Sequence, residues 1–171
     1  MDKSAKLWNL EIPYPLRVYA GHERDVDVAT FHPNCNYIAT GSCDKTIRLW
    51  SHTDAKMVRV LNGNQSGIYS LAFSPDGKYL ASGGEDMVVR VFDLSTCKIL
   101  KEFRGHGDIV YSLIWSIDGS FVISGAQDGR ICYWELMSQS SEPVESLQTG
   151  CNNILNFKFS NVNQFNALGV N

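Results

Sequence analysis

The chain has 171 residues, 44% of them hydrophobic and 19% charged, with a formal net charge of −3 and a pI near 5.8. That is a globular composition of one ordinary domain's length; it excludes a disordered chain and lacks the basic footprint of a duplex-binding protein. Apolar runs are far shorter than a membrane span, and Met1-Asp2-Lys3-Ser4-Ala5-Lys6 leads into no signal-peptide core, so no membrane role is expected.

The first predicted element is a strand within residues 1–10, around Lys6 to Leu10, which carries Trp8. Trp8, Trp50, Phe92 and Trp134 stand 42 residues apart, as do Gly21, Gly63 and Gly105, and also Asp44, Asp86 and Asp128. A fixed spacing of this size marks a repeat architecture whose units bury their apolar faces only by stacking. Residues 1–10 then close one repeat, full repeats follow at about 11–53, 54–95 and 96–137, and 138–171 is a partial repeat in a single domain.

Residues 54–95 show the unit. Met57 to Leu61 is short and β-branched, and Ile68 to Phe73 alternates large and small side chains. Ser74-Pro75-Asp76-Gly77 is a turn, followed by strands Tyr79 to Gly83 and Val88 to Phe92. Four short strands per unit predict one antiparallel sheet per repeat, and no stretch carries a helical period. In the partial repeat, a Ser/Gln/Glu-rich insertion (Ser138 to Glu142) precedes Ile154 to Ser160, which matches Ile68 to Ser74 at a shift of 86. Phe165 and Ala167 match Tyr79 and Ala81 at the same shift, and a final strand is missing. If the chain closed on itself, the strand around Leu7-Trp8 would pair with that around Phe165 to Leu168. Five cysteines in no Cys-x-x-Cys pair read as free thiols of a reducing compartment.

Gly21-His22 and Gly105-His106 open repeats, and Leu49-Trp50 and Tyr133-Trp134 close them. The pattern resembles the WD40 family, whose members are all-β propellers of stacked four-stranded antiparallel blades. The expected architecture is therefore a partial WD40 β-propeller of about four blades. The resemblance also implies a buried hydrogen-bonded set in each blade: His22, Thr40, Asp44 and Trp50 in the first, and His106, Ser124, Asp128 and Trp134 in the third. The middle repeat has Asn64 for His and Phe92 for Trp, leaving Ser82 and Asp86. This blade is expected to be the least rigid, and Asn64→His with Phe92→Trp to raise stability by ~1–2 kcal/mol. A hydrolase triad is the competing reading of His, Asp and Ser or Thr. The periodic recurrence, the indole donor and the lack of a Gly-x-Ser-x-Gly elbow weigh against it, so no catalytic residue, metal or cofactor is expected.

Carried over from the WD40 family, the partner-binding positions are Asp25, Asp27 and Cys43 in the first repeat, and Gly67, Tyr69 and Glu85 in the second. Ile109, Tyr111 and Gln127 are their counterparts in the third. Tyr14-Pro15-Leu16-Arg17-Val18-Tyr19-Ala20-Gly21-His22 and Phe31-His32-Pro33-Asn34 are similar to the WD40 region of the TBP-associated factor five and five-like subunits of TFIID and SAGA-type coactivators. That resemblance implies a nuclear, non-enzymatic scaffold that docks TBP-associated factors and coactivator subunits, without direct nucleic-acid contact or a small-molecule substrate. The alternative is a WD40 adaptor or substrate receptor that binds a peptide in signalling or ubiquitination. A phosphopeptide reader would need an arginine cluster at the positions above, and none is there.

Overall fold

The structure is a computed structural model describing residues 2–151, 153–159 and 165–170. Within them the chain forms sixteen β-strands and no helix. Three sheets have four strands each. The first holds β3 (Val26–Phe31), β4 (Tyr37–Ser42), β5 (Ile47–Ser51) and β6 (Met57–Leu61); the second holds β7 (Ile68–Phe73), β8 (Tyr79–Gly84), β9 (Val88–Asp93) and β10 (Lys98–Arg104). The third holds β11 (Val110–Trp115), β12 (Phe121–Ala126), β13 (Arg130–Glu135) and β14 (Glu145–Gln148). Two-stranded ladders flank them: β1 (Ser4–Leu7) with β2 (Arg17–Ala20), and β15 (Asn153–Phe159) with β16 (Phe165–Val170).

All pairings are antiparallel, and the register repeats with the sequence. Ala29 faces Thr40, Leu71 faces Ser82 and Leu113 faces Ser124. The innermost strands β3, β7, β11 and β15 lie side by side, which stacks the sheets radially.

The core is a series of layers between sheets, because a sheet this small has no interior of its own. Leu49, Leu61, Ile68 and Phe92 fill the layer between the first two blades. Val91, Phe103, Val110 and Trp134 fill the next, and Ile123, Ile131 and Ile154 meet between the third blade and β15. On the other side, Tyr19 of β2 packs against Ile38 and Trp50.

The structure corrects three expectations. Repeat and sheet are out of phase by one strand: the strand at Met57–Leu61 pairs with β5 of the unit before, and the sheet of β7 to β9 takes β10 as its outer member. The connection between β5 and β6 is a hairpin in which Ser51 N–H donates to Lys56 O at 2.9 Å. Short turns hold antiparallel neighbours together, so the hairpin decides membership. Second, Trp8 lies beyond β1 and is 54% exposed; it has the spacing of Trp50 without a complete blade around it. Third, Phe159 pairs with Phe165 whereas Phe73 pairs with Leu80, so the connection is one residue shorter and β16 follows a shift of 85 rather than 86. The pairing of Leu7-Trp8 with Phe165 to Leu168 that closure of the chain on itself would require is not formed among the described residues, where β1-β2 and β15-β16 are separate two-stranded sheets. Ser160 lies outside the described residues.

Candidate interaction face

Antiparallel alternation sends the loops 62–67 and 85–87 to one face of the disc and the turns 74–78 and 94–97 to the other. Hydrogen-bonded polar sets under the first face hold its loops in place.

In the first blade, His22 Nδ1 lies 2.8 Å from Asp44 Oδ2, and His22 Nε2 lies 2.7 Å from Thr40 Oγ1. The carboxylate can only accept, so Nδ1 carries the proton and Nε2 accepts from the Thr40 hydroxyl. Trp50 Nε1 donates to the same hydroxyl oxygen at 2.8 Å. Asp44 also accepts from the Thr46 hydroxyl at 2.6 Å and from the amides of Thr46 and Glu23 at 2.9 and 3.0 Å. Burial pushes the Asp44 carboxyl up, but these donors outweigh it and hold it well below the ordinary value. Burial lowers His22, against the opposing pull of Asp44, and favours its neutral form.

The third blade keeps half of this chain. Trp134 Nε1 donates to Ser124 Oγ at 2.6 Å, and His106 Nε2 lies 2.6 Å from the same atom. His106 Nδ1 stands 3.6 Å from Asp128 Oδ1, too far for a hydrogen bond, and 3.9 Å from Cys132 Sγ. Burial pushes the Cys132 thiol up to about 11. Thus the predicted carboxylate–imidazole link exists in the first blade and is opened in the third.

In the second blade a residue that the sequence reading passed over takes the central place. Arg90 is buried; its Nη1 reaches Asp86 Oδ2 at 2.5 Å and Asn64 Oδ1 at 3.4 Å, and its Nε reaches Glu102 Oε1 at 2.8 Å. Ser82 donates to Asn64 Oδ1 at 3.0 Å, while Asn64 Nδ2 is buried with no partner among the described residues. The site is a charged network rather than a depleted tetrad. The signal was the period itself, which places Arg48, Arg90 and Cys132 in register.

Two aspartate contacts survive in all three blades: each carboxylate accepts from the amide two residues on, at Thr46, Val88 and Arg130 (2.9, 3.3 and 2.9 Å), and from an amide of the preceding loop. Asp44, Asp86 and Asp128 accept from the backbone amides of Glu23, Gln65 and Gly107 at 3.0, 3.0 and 2.7 Å. The donor is main chain, so side chains at those three positions are free to differ. Thr40 and Ser124 are fully buried and their hydroxyls are engaged with histidine and indole, unlike the exposed nucleophile of a hydrolase triad.

The nine positions expected to meet partners form three equivalent groups. Cys43, Glu85 and Gln127 donate their amides to the carbonyls of Asp25, Gly67 and Ile109 at 3.0, 3.0 and 2.8 Å. Asp27, Tyr69 and Tyr111 are the unpaired residues of three β-bulges, at Val26/Val28, Ile68/Ser70 and Val110/Ser112. A bulge inserts one extra residue, breaks the side-chain alternation and redirects the side chain out of the blade. The first two groups meet: Cys43 Sγ lies 3.0 Å from Asp27 Oδ2, and Gly67 is buried between Cys43, Tyr69 and Glu85. Ser66 donates to Glu85, and the rings of Tyr69 and Tyr111 touch at 5.6 Å between centroids. Asp25, Ile109 and Gln127 stand at the entrances of their own blades, and the charge of Asp25 acts on the Cys43 thiol. Burial, followed by the charges of Cys43, Glu85 and Asp27, raises the Tyr69 phenol, which keeps its proton for donation.

Comparison with known sequences agrees with this geometry. The sequence pattern of the family described as WD domain, G-beta repeat (WD40) matches residues 13–51, 55–93 and 97–135. A stretch of 43 residues is 49% identical to Transcription initiation factor TFIID subunit 5 of Caenorhabditis elegans; it covers 25% of this chain and 7% of that protein. With three matched repeats and three four-stranded blades of common register, the chain belongs to the WD40 repeat family.

Proposed function

We propose that the chain is a non-enzymatic scaffold of a TFIID- or SAGA-type coactivator in the nucleus, where it docks TBP-associated factors on the bulge-bearing face. WD40 domains bind protein partners and are generally non-catalytic. The observation that carries the reading is the set of three bulge residues, Asp27, Tyr69 and Tyr111, held rigid above buried networks. Touching tyrosines beside Asp27 and Glu85 match the aromatic core and charged rim of a protein contact. The likeness to the TFIID subunit supports the choice of complex.

The test is affinity purification of the full chain from nuclear extract with identification of bound proteins. TBP-associated factors or coactivator subunits are expected, and Tyr69→Ala with Tyr111→Ala should deplete them while leaving the melting temperature within a few degrees. Recovery of ubiquitin-ligase or signalling proteins instead would replace this reading with that of an adaptor.

A further inference from the structure

The opposite face carries a cleft of about 420 Å³ between the first and second blades. It opens where strands β4 to β6 meet the turns after β7 and β9. Leu49, Phe73 and Tyr79 line it, and Tyr37 and Val58 remain 40% and 47% exposed. These side chains give it an apolar and aromatic wall that is open to solvent.

The junction behind that wall is fixed. His32 Nε2 donates to the Gly77 carbonyl at 2.9 Å, its Nδ1 accepts from the Asn34 amide at 3.2 Å, and its ring stands edge-on to Phe73 at 4.9 Å. Gly77 sits at φ +72°, and a Cβ there would lie 2.4 Å from the imidazole, so only glycine permits this approach. Both His32 nitrogens are used and neither is offered to a ligand.

The polar groups at the cleft are unbalanced. Asp93 is turned into its own loop, where Oδ1 accepts from the Ser95 amide and hydroxyl, each at 2.7 Å. Among the described residues the Lys78 ammonium makes only a 3.4 Å surface pair with Asp76. Arg59 touches Cys97 Sγ at 3.0 Å and Ser95 O at 3.5 Å, and among the described residues no carboxylate lies within ion-pair distance of it. A guanidinium at the lip of an apolar cleft lacks the carboxylate that its planar fork is suited to hold.

We propose that this cleft binds a short segment of a partner protein in which a bulky apolar side chain is flanked by carboxylates. The apolar group enters against Phe73 and Tyr79, one carboxylate pairs with Arg59, and a second faces Lys78. An extended segment suits the site because Tyr37 and Val58 continue the apolar wall into solvent. The proposal rests on the reading of the chain as a protein scaffold and gives it a second contact on the face opposite Tyr69 and Tyr111.

The test is fluorescence anisotropy of the full chain with a labelled peptide, Asp-Glu-Leu-Phe-Glu-Asp. Saturable binding is expected. Replacing Leu-Phe by Ser-Ser, or the acids by their amides, should weaken it about tenfold or more. Arg59→Glu should do the same, with Arg59→Lys intermediate; Arg59 is exposed, and an unchanged melt will exclude misfolding. Lys78→Glu supplies a second variant on another element. Equal binding by the Ser-Ser peptide, indifference to both charge reversals, or phenylacetate binding as tightly as the peptide would overturn the proposal. If the peptide fails to bind while coactivator subunits still co-purify, the cleft assignment falls and the scaffold reading stands; if neither binds, both fall.

Discussion

Arg90 reaches Asp86 at 2.5 Å in the middle blade, beside Asn64 where the neighbouring blades carry His22 and His106. Asp86 lies in the turn that precedes β9 and Arg90 on the strand itself, and Glu102 from β10 closes the guanidinium's other side. A buried cation thus substitutes for an imidazole in a fold that otherwise repeats itself.

This changes the outlook for repair of that blade. Asn64→His with Phe92→Trp is now expected to gain nothing alone, because the guanidinium already holds Asp86, the carboxylate that a new imidazole would have to bond. Adding Arg90→Cys, the residue at the matching position of the third blade, should recover stability relative to the double variant. Urea denaturation of the double and triple variants checks this; a gain of ~1–2 kcal/mol from the double alone would mean Arg90 swings aside.

Arg90→Met should destabilise the chain by roughly 3 kcal/mol, since it leaves Asp86 and Glu102 without their shared cation. Solvent reaches part of Glu102 and softens its share. Equilibrium unfolding measures the loss, and a change within error would place the network's weight elsewhere.

Thr40→Val removes the hydroxyl that joins His22 to Trp50 in a buried site. It leaves an imidazole nitrogen and an indole N–H unpaired, at a cost of about 1–3 kcal/mol. Phe92 shows how a blade avoids the indole requirement, so Thr40→Val with Trp50→Phe should cost less than the two single changes summed. A double-mutant cycle in denaturant tests it; strict additivity would mean that the pair is not coupled.

Acid should weaken the fold in two stages. Burial first, and against the pull of Asp44 and Asp128, holds His22 and His106 below the ordinary histidine value of 6.5. Thr46 and Arg48 also face His22, and Cys132 and Arg130 face or influence His106. A folded-state value below the unfolded one makes the unfolded chain take protons first, so stability is full above 6.5 and falls as pH drops beneath it. Asp44, held below 3.8, adds a second loss under that value. Denaturant midpoints measured from about pH 8 to 3 should be flat, then fall in these two windows; a flat profile through about pH 5 would contradict the first.

The turns before β5 and β9 place Lys45 and Met87 at φ 70° and 61°, where the third blade has Gly129 at 72°. Met87→Gly should therefore stabilise by roughly 0.5–1 kcal/mol, the relief of the left-handed strain less the entropy of glycine. Gly129→Ala should cost more than ~1 kcal/mol, because a Cβ there would also lie 2.2 Å from the Cys151 carbonyl. Thermal melts of the two variants should move in opposite directions.

The 42-residue period determined the most. Spaced Gly, Asp and Trp with alternating strands were enough for an all-β stack of blades, because units of that size must share their apolar faces. The His22, Thr40, Asp44 and Trp50 set was legible for the same reason, since each link is made by a particular side chain. Four things required the tertiary structure. The sheet boundary depends on which hairpin holds β6, and pattern alone does not reveal it. The recurring amide-to-aspartate anchor uses main-chain donors, which leave no mark in the residue types. The bulges that redirect Asp27, Tyr69 and Tyr111, and the buried Arg90 that displaces an imidazole, depend on how strands pair and which charges are enclosed together; both are outcomes of packing between segments far apart in the chain.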